Sequence, residues 1–195
     1  MIISFKISDK NNVCSEFFVL RRYREYIANG MEDNKMSETK GKIAVLTSGG
    51  DAPGMNAAIR AVVRTGISKG YEVYGVRRGY NGILNREMDL LTFHDVSEKL
   101  QHGGTFLFTA RSAEFREEEG KKKAAAICKE LGIETLIVIG GDGSFTGAKN
   151  LSKYGVNVIG LPGTIDLDIA YTDYTIGFDL SLIHISEPTR LLSIS

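Results

Sequence analysis

The stretch that most constrains the fold is Leu136–Ser144, which reads Leu-Ile-Val-Ile-Gly-Gly-Asp-Gly-Ser. Leu136, Ile137, Val138 and Ile139 show no polar alternation, the pattern of a strand buried on both faces of a parallel sheet. The run stops at glycines. Gly140, Gly141 and Gly143 allow close backbone approach to a ligand and can present N–H groups to it. Asp142 stands among them, a hard oxygen donor of the kind that Mg²⁺ on a polyphosphate takes. Two readings follow from these residues: a nucleotide–metal site, or a tight strand-to-helix turn with a capping aspartate.

The same pattern recurs along the chain. Ile43–Leu46 is a predicted strand that runs into Thr47-Ser48-Gly49-Gly50-Asp51-Ala52-Pro53-Gly54. Asn56 opens a helix with Ile59, Val62, Val63, Gly66 and Ile67 on one face. A strand over Glu72–Val76 leads to a turn-rich excursion at Arg77–Gly82. A short helix is expected over Val96–Gln101, and an extended segment over Thr105–Phe108. Glu117–Leu131 is a long helix with acidic residues in its first turn, where the helix dipole favours them. A helix over Phe145–Tyr154 and a strand over Val156–Leu161 follow, and that strand ends in Pro162-Gly163-Thr164-Ile165-Asp166. Alternating strands and helices imply an α/β fold, a parallel sheet with helices on both faces joined by right-handed crossovers. In such a sheet Gly49–Asp51, Gly140–Asp142 and Pro162–Asp166 converge at one edge, where open α/β sheets bind ligands.

The formal net charge of +0 points away from nucleic acid and membrane surfaces as partners. Two cysteines make no disulfide framework, and Cys128 falls on an apolar helix stripe, as a reduced buried thiol in a cytoplasmic protein does. No apolar run reaches membrane-spanning length. Residues 1–40 differ in character from the rest and read as an upstream extension without function.

There is no Gly-x-x-x-x-Gly-Lys-Ser/Thr motif and no Gly-x-Gly-x-x-Gly spacing. Helix N-termini after Gly54 and Gly143 can still offer N–H donors to phosphates. Arg111 can add a fork of donors, or can be an ordinary surface arginine. Phosphoryl transfer also needs a proton acceptor, and Asp166 beside Thr164 suits that task; the alternative is an Asx-type loop turn.

Leu46–Arg60, Gly103–Thr105, Thr109–Arg111, Ile139–Ser144, Pro162–Asp166 and Thr172–Phe178 together resemble the bacterial ATP-dependent phosphofructokinases, over Gly41–Asp179. The resemblance implies the Rossmann-like N-terminal domain of that family. The implied reaction is transfer of the terminal phosphate of ATP to the 1-hydroxyl of fructose 6-phosphate, a step of glycolysis. It assigns Gly50, Arg111, Ser112, Gly141, Asp142, Gly143 and Ser144 to ATP, and Asp142 to Mg²⁺. Thr164, Ile165 and Asp166 become sugar contacts, with Asp166 the general base. Arg60 and Arg64, with Phe93–Glu98, match the family's allosteric site for an ADP-type effector in a cytoplasmic homotetramer. Gly143 and Gly163 favour ATP, because pyrophosphate-using relatives tend to carry Asp and Lys there. The Pro-Gly-Thr-Ile-Asp loop argues against a lipid- or NAD-kinase relative.

The sequence departs from the family at Leu167, where Asn is usual, and at Tyr171, where Gly is usual. Leu180–Ser195 resembles translated sequencing adapter and is expected to be foreign. Residues 41–179 are then an incomplete ATP-binding domain, and the polypeptide itself a catalytically inactive nucleotide- and Mg²⁺-binding fragment.

Overall fold

A computed structural model describes Phe5–Lys6 and residues 39–170 and 172–181. The chain divides into two units, one of Met1–Ile7 with Thr39–Ser195 and one of Ser8–Glu38, and the second lies outside the described residues. So do Tyr171 and residues 182–195.

In chain order the elements are β1 (Phe5–Lys6), β2 (Lys42–Thr47), α1 (Met55–Ser68), β3 (Glu72–Val76), α2 (Tyr80–Leu84) and β4 (Met88–Leu90). A 3₁₀ turn (Glu114–Arg116), α3 (Glu118–Glu130), β5 (Ile133–Gly140), α4 (Asp142–Ser152), β6 (Asn157–Pro162) and α5 (Ile176–Ser181) follow. The strands form one sheet in the order β1-β6-β5-β2-β3-β4. The inner four are parallel, as the apolar runs predict, with Ala44 opposite Leu136 and Ile137 opposite Ile159. Both outer strands are antiparallel additions: β1 comes from the stretch read as an extension, and β4 returns beside β3.

Alternate residues of the central strands feed two cores. Leu136, Val138, Ala44 and Leu46 pack under α3 and α4 with Ile127, Cys128, Ala148 and Leu151. Val45, Ile139, Val73 and Leu161 pack under α1 with Met55, Ile59 and Val63. Helices therefore cover both faces, which is why the strands needed no polar side.

Two segments differ from expectation. Residues 96–101 form turns rather than a helix: Glu98 takes φ +55, and the Val96 carbonyl accepts the Arg60 guanidinium at 2.7 Å. Residues 105–108 join no strand, since Phe108 turns the chain at φ +59 while its carbonyl accepts the Thr47 hydroxyl at 3.1 Å. Among the described residues no helix is long and apolar enough to cross a membrane.

Candidate active site

The C-terminal tips of β2, β5 and β6 lie side by side. The Ser48 N–H donates to the Ile139 carbonyl and the Gly163 N–H to the Gly140 carbonyl, each at 3.0 Å. Glycine makes this spacing possible. A Cβ on Gly140 would sit 2.4 Å from the Ser48 carbonyl oxygen and 2.6 Å from the Ser144 Oγ. A Cβ on Gly141 would touch the Thr164 side chain at 3.4 Å. Gly50 and Gly143 are different: a Cβ on either meets nothing within 4 Å, so both line open space.

Helix α4 starts at Asp142, three residues before the predicted start, so the glycine turn is itself the helix's first turn. Gly141 occupies the N-cap position and no side chain caps this end, which leaves its first N–H groups available as anion donors. Asp142 and Gly143 are exposed, whereas Ser144 is buried. The start of α1 is more committed. The Asn56 N–H donates to the Gly104 carbonyl at 3.0 Å, and its side chain donates to the His102 and Gly103 carbonyls and accepts the Phe106 N–H. This nearly buried asparagine clamps the 102–106 loop, a role that its place at the helix start does not announce.

Across from Asp142, the Thr164 hydroxyl donates to Asp166 Oδ2 at 3.2 Å and accepts the Asp166 N–H at 3.1 Å. The loop turn is made by the Thr164 hydroxyl rather than by an aspartate side chain as an Asx-type turn would be, and the Asp166 carboxylate remains exposed. Ile165 and Leu167 flank it at 47% and 50% exposure. The Gly177 N–H holds the Thr164 carbonyl at 3.1 Å, tying this loop to α5.

Arg111 is exposed at the same end, and its carbonyl accepts the Asn81 side-chain amide at 3.2 Å. The Ser112 Oγ accepts the Phe115 N–H at 3.1 Å, which commits it to the 3₁₀ turn. Arg60 and Arg64 sit on α1 rather than in the tip loops. Arg60 holds Val96, and the Arg64 guanidinium lies 5.3 Å from the Phe93 ring centroid, so the segment paired with them in the sequence is beside them in space. Tyr80 escapes sequence reasoning altogether: its hydroxyl donates to the Ser144 carbonyl at 2.5 Å, 64 residues away.

Among the described residues no three His, Cys, Asp or Glu side chains gather to hold a metal. A lone exposed carboxylate beside a helix N-terminus fits Mg²⁺ instead, because that ion is commonly held by one or two carboxylates together with substrate phosphates.

Parallel strand tips, an uncapped helix start and two carboxylate loops thus share the edge at which open α/β sheets bind ligands. The family model described as Phosphofructokinase matches residues 42–192, and the chain belongs to that family. It is 66% identical over 140 residues to an ATP-dependent 6-phosphofructokinase of Clostridium botulinum, and 64% identical over 141 residues to that of Clostridium tetani. In each case the match covers 72% of this chain and 44% of the relative, so the chain spans under half the length of these curated relatives. Among solved structures, phosphofructokinase from Saccharomyces cerevisiae matches with a TM-score of 0.69 and 43% identity, covering 75% of this chain and 23% of that one. A pyrophosphate-dependent phosphofructokinase from Marinobacter aquaeolei shares the fold at a TM-score of 0.63 and 22% identity, over 71% of this chain and 37% of that one.

Proposed function

We propose that this edge is the phosphoryl-transfer site of an ATP-dependent 6-phosphofructokinase, acting on fructose 6-phosphate in the cytoplasm. The observation that carries the reading is the adjacency of two exposed carboxylate loops, Asp142 at the start of α4 and Asp166 after β6, joined by the Gly163–Gly140 hydrogen bond. The N–H groups of the first α4 turn receive the donor's phosphates, with Arg111 as a further cation. Gly143 leaves room for an adenosine-bearing donor, which favours ATP over pyrophosphate, whereas Gly163, expected to do the same, is buried, with a Cβ there 2.8 Å from Ile139 Cγ2. Asp142 would hold Mg²⁺, which when bound neutralises charge on the phosphates. Thr164, through its two bonds to Asp166, orients that carboxylate, and Asp166 accepts the proton of the attacking hydroxyl.

By the same reading Arg60, Arg64 and the Phe93–Glu98 segment receive an ADP-type effector in a tetrameric parent. Residues 41–179 form the nucleotide portion, with a non-native extension before and a foreign tail after. For the polypeptide by itself we propose binding of MgATP without turnover, favoured by Leu167, an apolar and solvent-facing residue beside Asp166 where the family usually has Asn. Titration calorimetry with MgATP, run beside a coupled kinase assay, tests both readings. Binding that is lost in Asp142→Ala supports the site, and absence of binding by the unsubstituted chain overturns it. Turnover abolished by Asp166→Asn overturns the inactive-fragment reading.

A further inference from the structure

Tyr80, the first residue of α2, is 6% exposed and takes no part in the reading above. Its ring stacks on Phe115 with centroids 4.0 Å apart and planes 6° from parallel. The pair lies against α4 at Gly147, where a Cβ would come within 3.0 Å of Tyr80 Cε2 and 3.1 Å of Phe115 Cε1. From there the phenol reaches the Ser144 carbonyl in the first turn of the helix. A carbonyl has two lone pairs and can take the phenol in addition to a helical N–H. No side chain caps α4, and in its first turn Asp142 and Gly143 are exposed while Phe145 is half-buried, so this bond is a tether that reaches the turn from another element.

We infer that Tyr80 is a positioning residue: by holding the Ser144 carbonyl against a stacked aromatic pair, it sets the direction of the first α4 turn, and with it the Asp142 carboxylate and the phosphate-facing N–H groups. The role rests on the proposed reading of the site as a MgATP site. Burial pushes the Tyr80 phenol above its ordinary range, so the hydroxyl keeps its proton and stays a donor at any working pH. A tyrosine that merely satisfied its own buried hydroxyl would affect stability and leave the metal dependence of binding untouched.

The test uses this chain with Tyr80→Phe, which keeps the ring and removes the donor. ATP binding is measured with Mg²⁺ and with a chelator, and amide hydrogen exchange is followed over residues 141–148 without nucleotide. The expected result is about a fivefold loss of MgATP affinity, the equivalent of one ordinary hydrogen bond. Metal-free binding should change less, and exchange should rise at the hydrogen-bonded N–H groups from Phe145 onward, which close the first α4 turn. Gly147→Ala keeps the hydroxyl and pushes the rings aside, and is expected to give the same pattern. Unchanged exchange in Tyr80→Phe overturns the tether whatever the nucleotide does. If the unsubstituted chain binds MgATP and Tyr80→Phe binds it equally well, the positioning role alone falls. If the unsubstituted chain binds none, the reading of the site falls and the role falls with it.

Discussion

Gly143→Ala separates what the free chain prefers from what a ligand needs. Gly143 is the second residue of α4, its backbone is outside the left-handed region, and a Cβ there meets nothing within 4 Å. The added methyl therefore costs the unliganded chain no strain, and it removes some of the freedom that glycine loses on folding. Interior helix values are about 0.5–1 kcal/mol, and a first-turn position should sit at the lower end. For a chain of 195 residues, that gain corresponds to a rise in melting temperature of roughly 1–3 °C. The same methyl occupies the open space before the first-turn N–H groups. If phosphates lie there, overpacking costs about 1–3 kcal/mol, a roughly 5- to 150-fold loss of MgATP affinity. Gly140→Ala is the contrasting variant. Its Cβ would sit 2.4 Å from the Ser48 carbonyl oxygen, whose residue is fixed by the Ser48–Ile139 bond, so stability and binding should fall together. Thermal melts without ligand and calorimetry with MgATP read both quantities. A Gly143→Ala chain that binds MgATP as tightly as the unsubstituted chain would refute the placement of phosphate at this turn.

Two further outcomes bear on the scaffold. Leu136 is fully buried at the centre of the sheet, and Leu136→Ala should cost about 2–5 kcal/mol in urea unfolding; a loss under about 1 kcal/mol would show that this core collapses to fill the gap. Burial pushes the Cys128 thiol up to about 11, so the folded state favours the neutral form. Its contribution to stability is then full below the unfolded thiol's pKa, near 8.5, and is lost as pH rises toward the folded value. In a Cys14→Ser chain, alkylation of Cys128 at pH 8 should proceed only as fast as the protein opens, and rapid labelling of the folded chain would count against the buried thiolate penalty.

The parallel centre of the sheet was legible because β2, β5 and β6 are buried on both faces and so carry apolar runs that need no partner to be recognised. The outer strands and α2 were not. β4 exists through its pairing with β3, Tyr74 opposite Leu90, and Leu90 is more than half exposed, so nothing in its own composition marks it. The helix expected over 96–101 was overridden from a distance, by the Arg60 side chain on the Val96 carbonyl and by the left-handed Glu98. Local pattern identifies elements that bury themselves. It cannot identify those that another element holds in place.

The site divides along the same line, and its glycines show why. In the sequence Gly140, Gly141 and Gly143 belong to one motif and invite one explanation, close approach to a ligand. In the fold their tasks separate. Gly140 is small because Ser48 and Ser144 crowd it, so it serves the packing of neighbouring strand tips, whereas a Cβ on Gly141 would make only an ordinary contact with Thr164. Gly143 alone of the three faces open space, and it does so within a helical turn rather than a loop. The motif thus contains a structural half that brings the Asp166 loop beside α4 and an open half that admits phosphate. Only the first half is required for folding. A chain that kept the packing glycine, Gly140, and lost the open one should keep its sheet, its cores and its Tyr80 tether while losing its ligand, and that is the separation the Gly143→Ala and Gly140→Ala pair is built to expose.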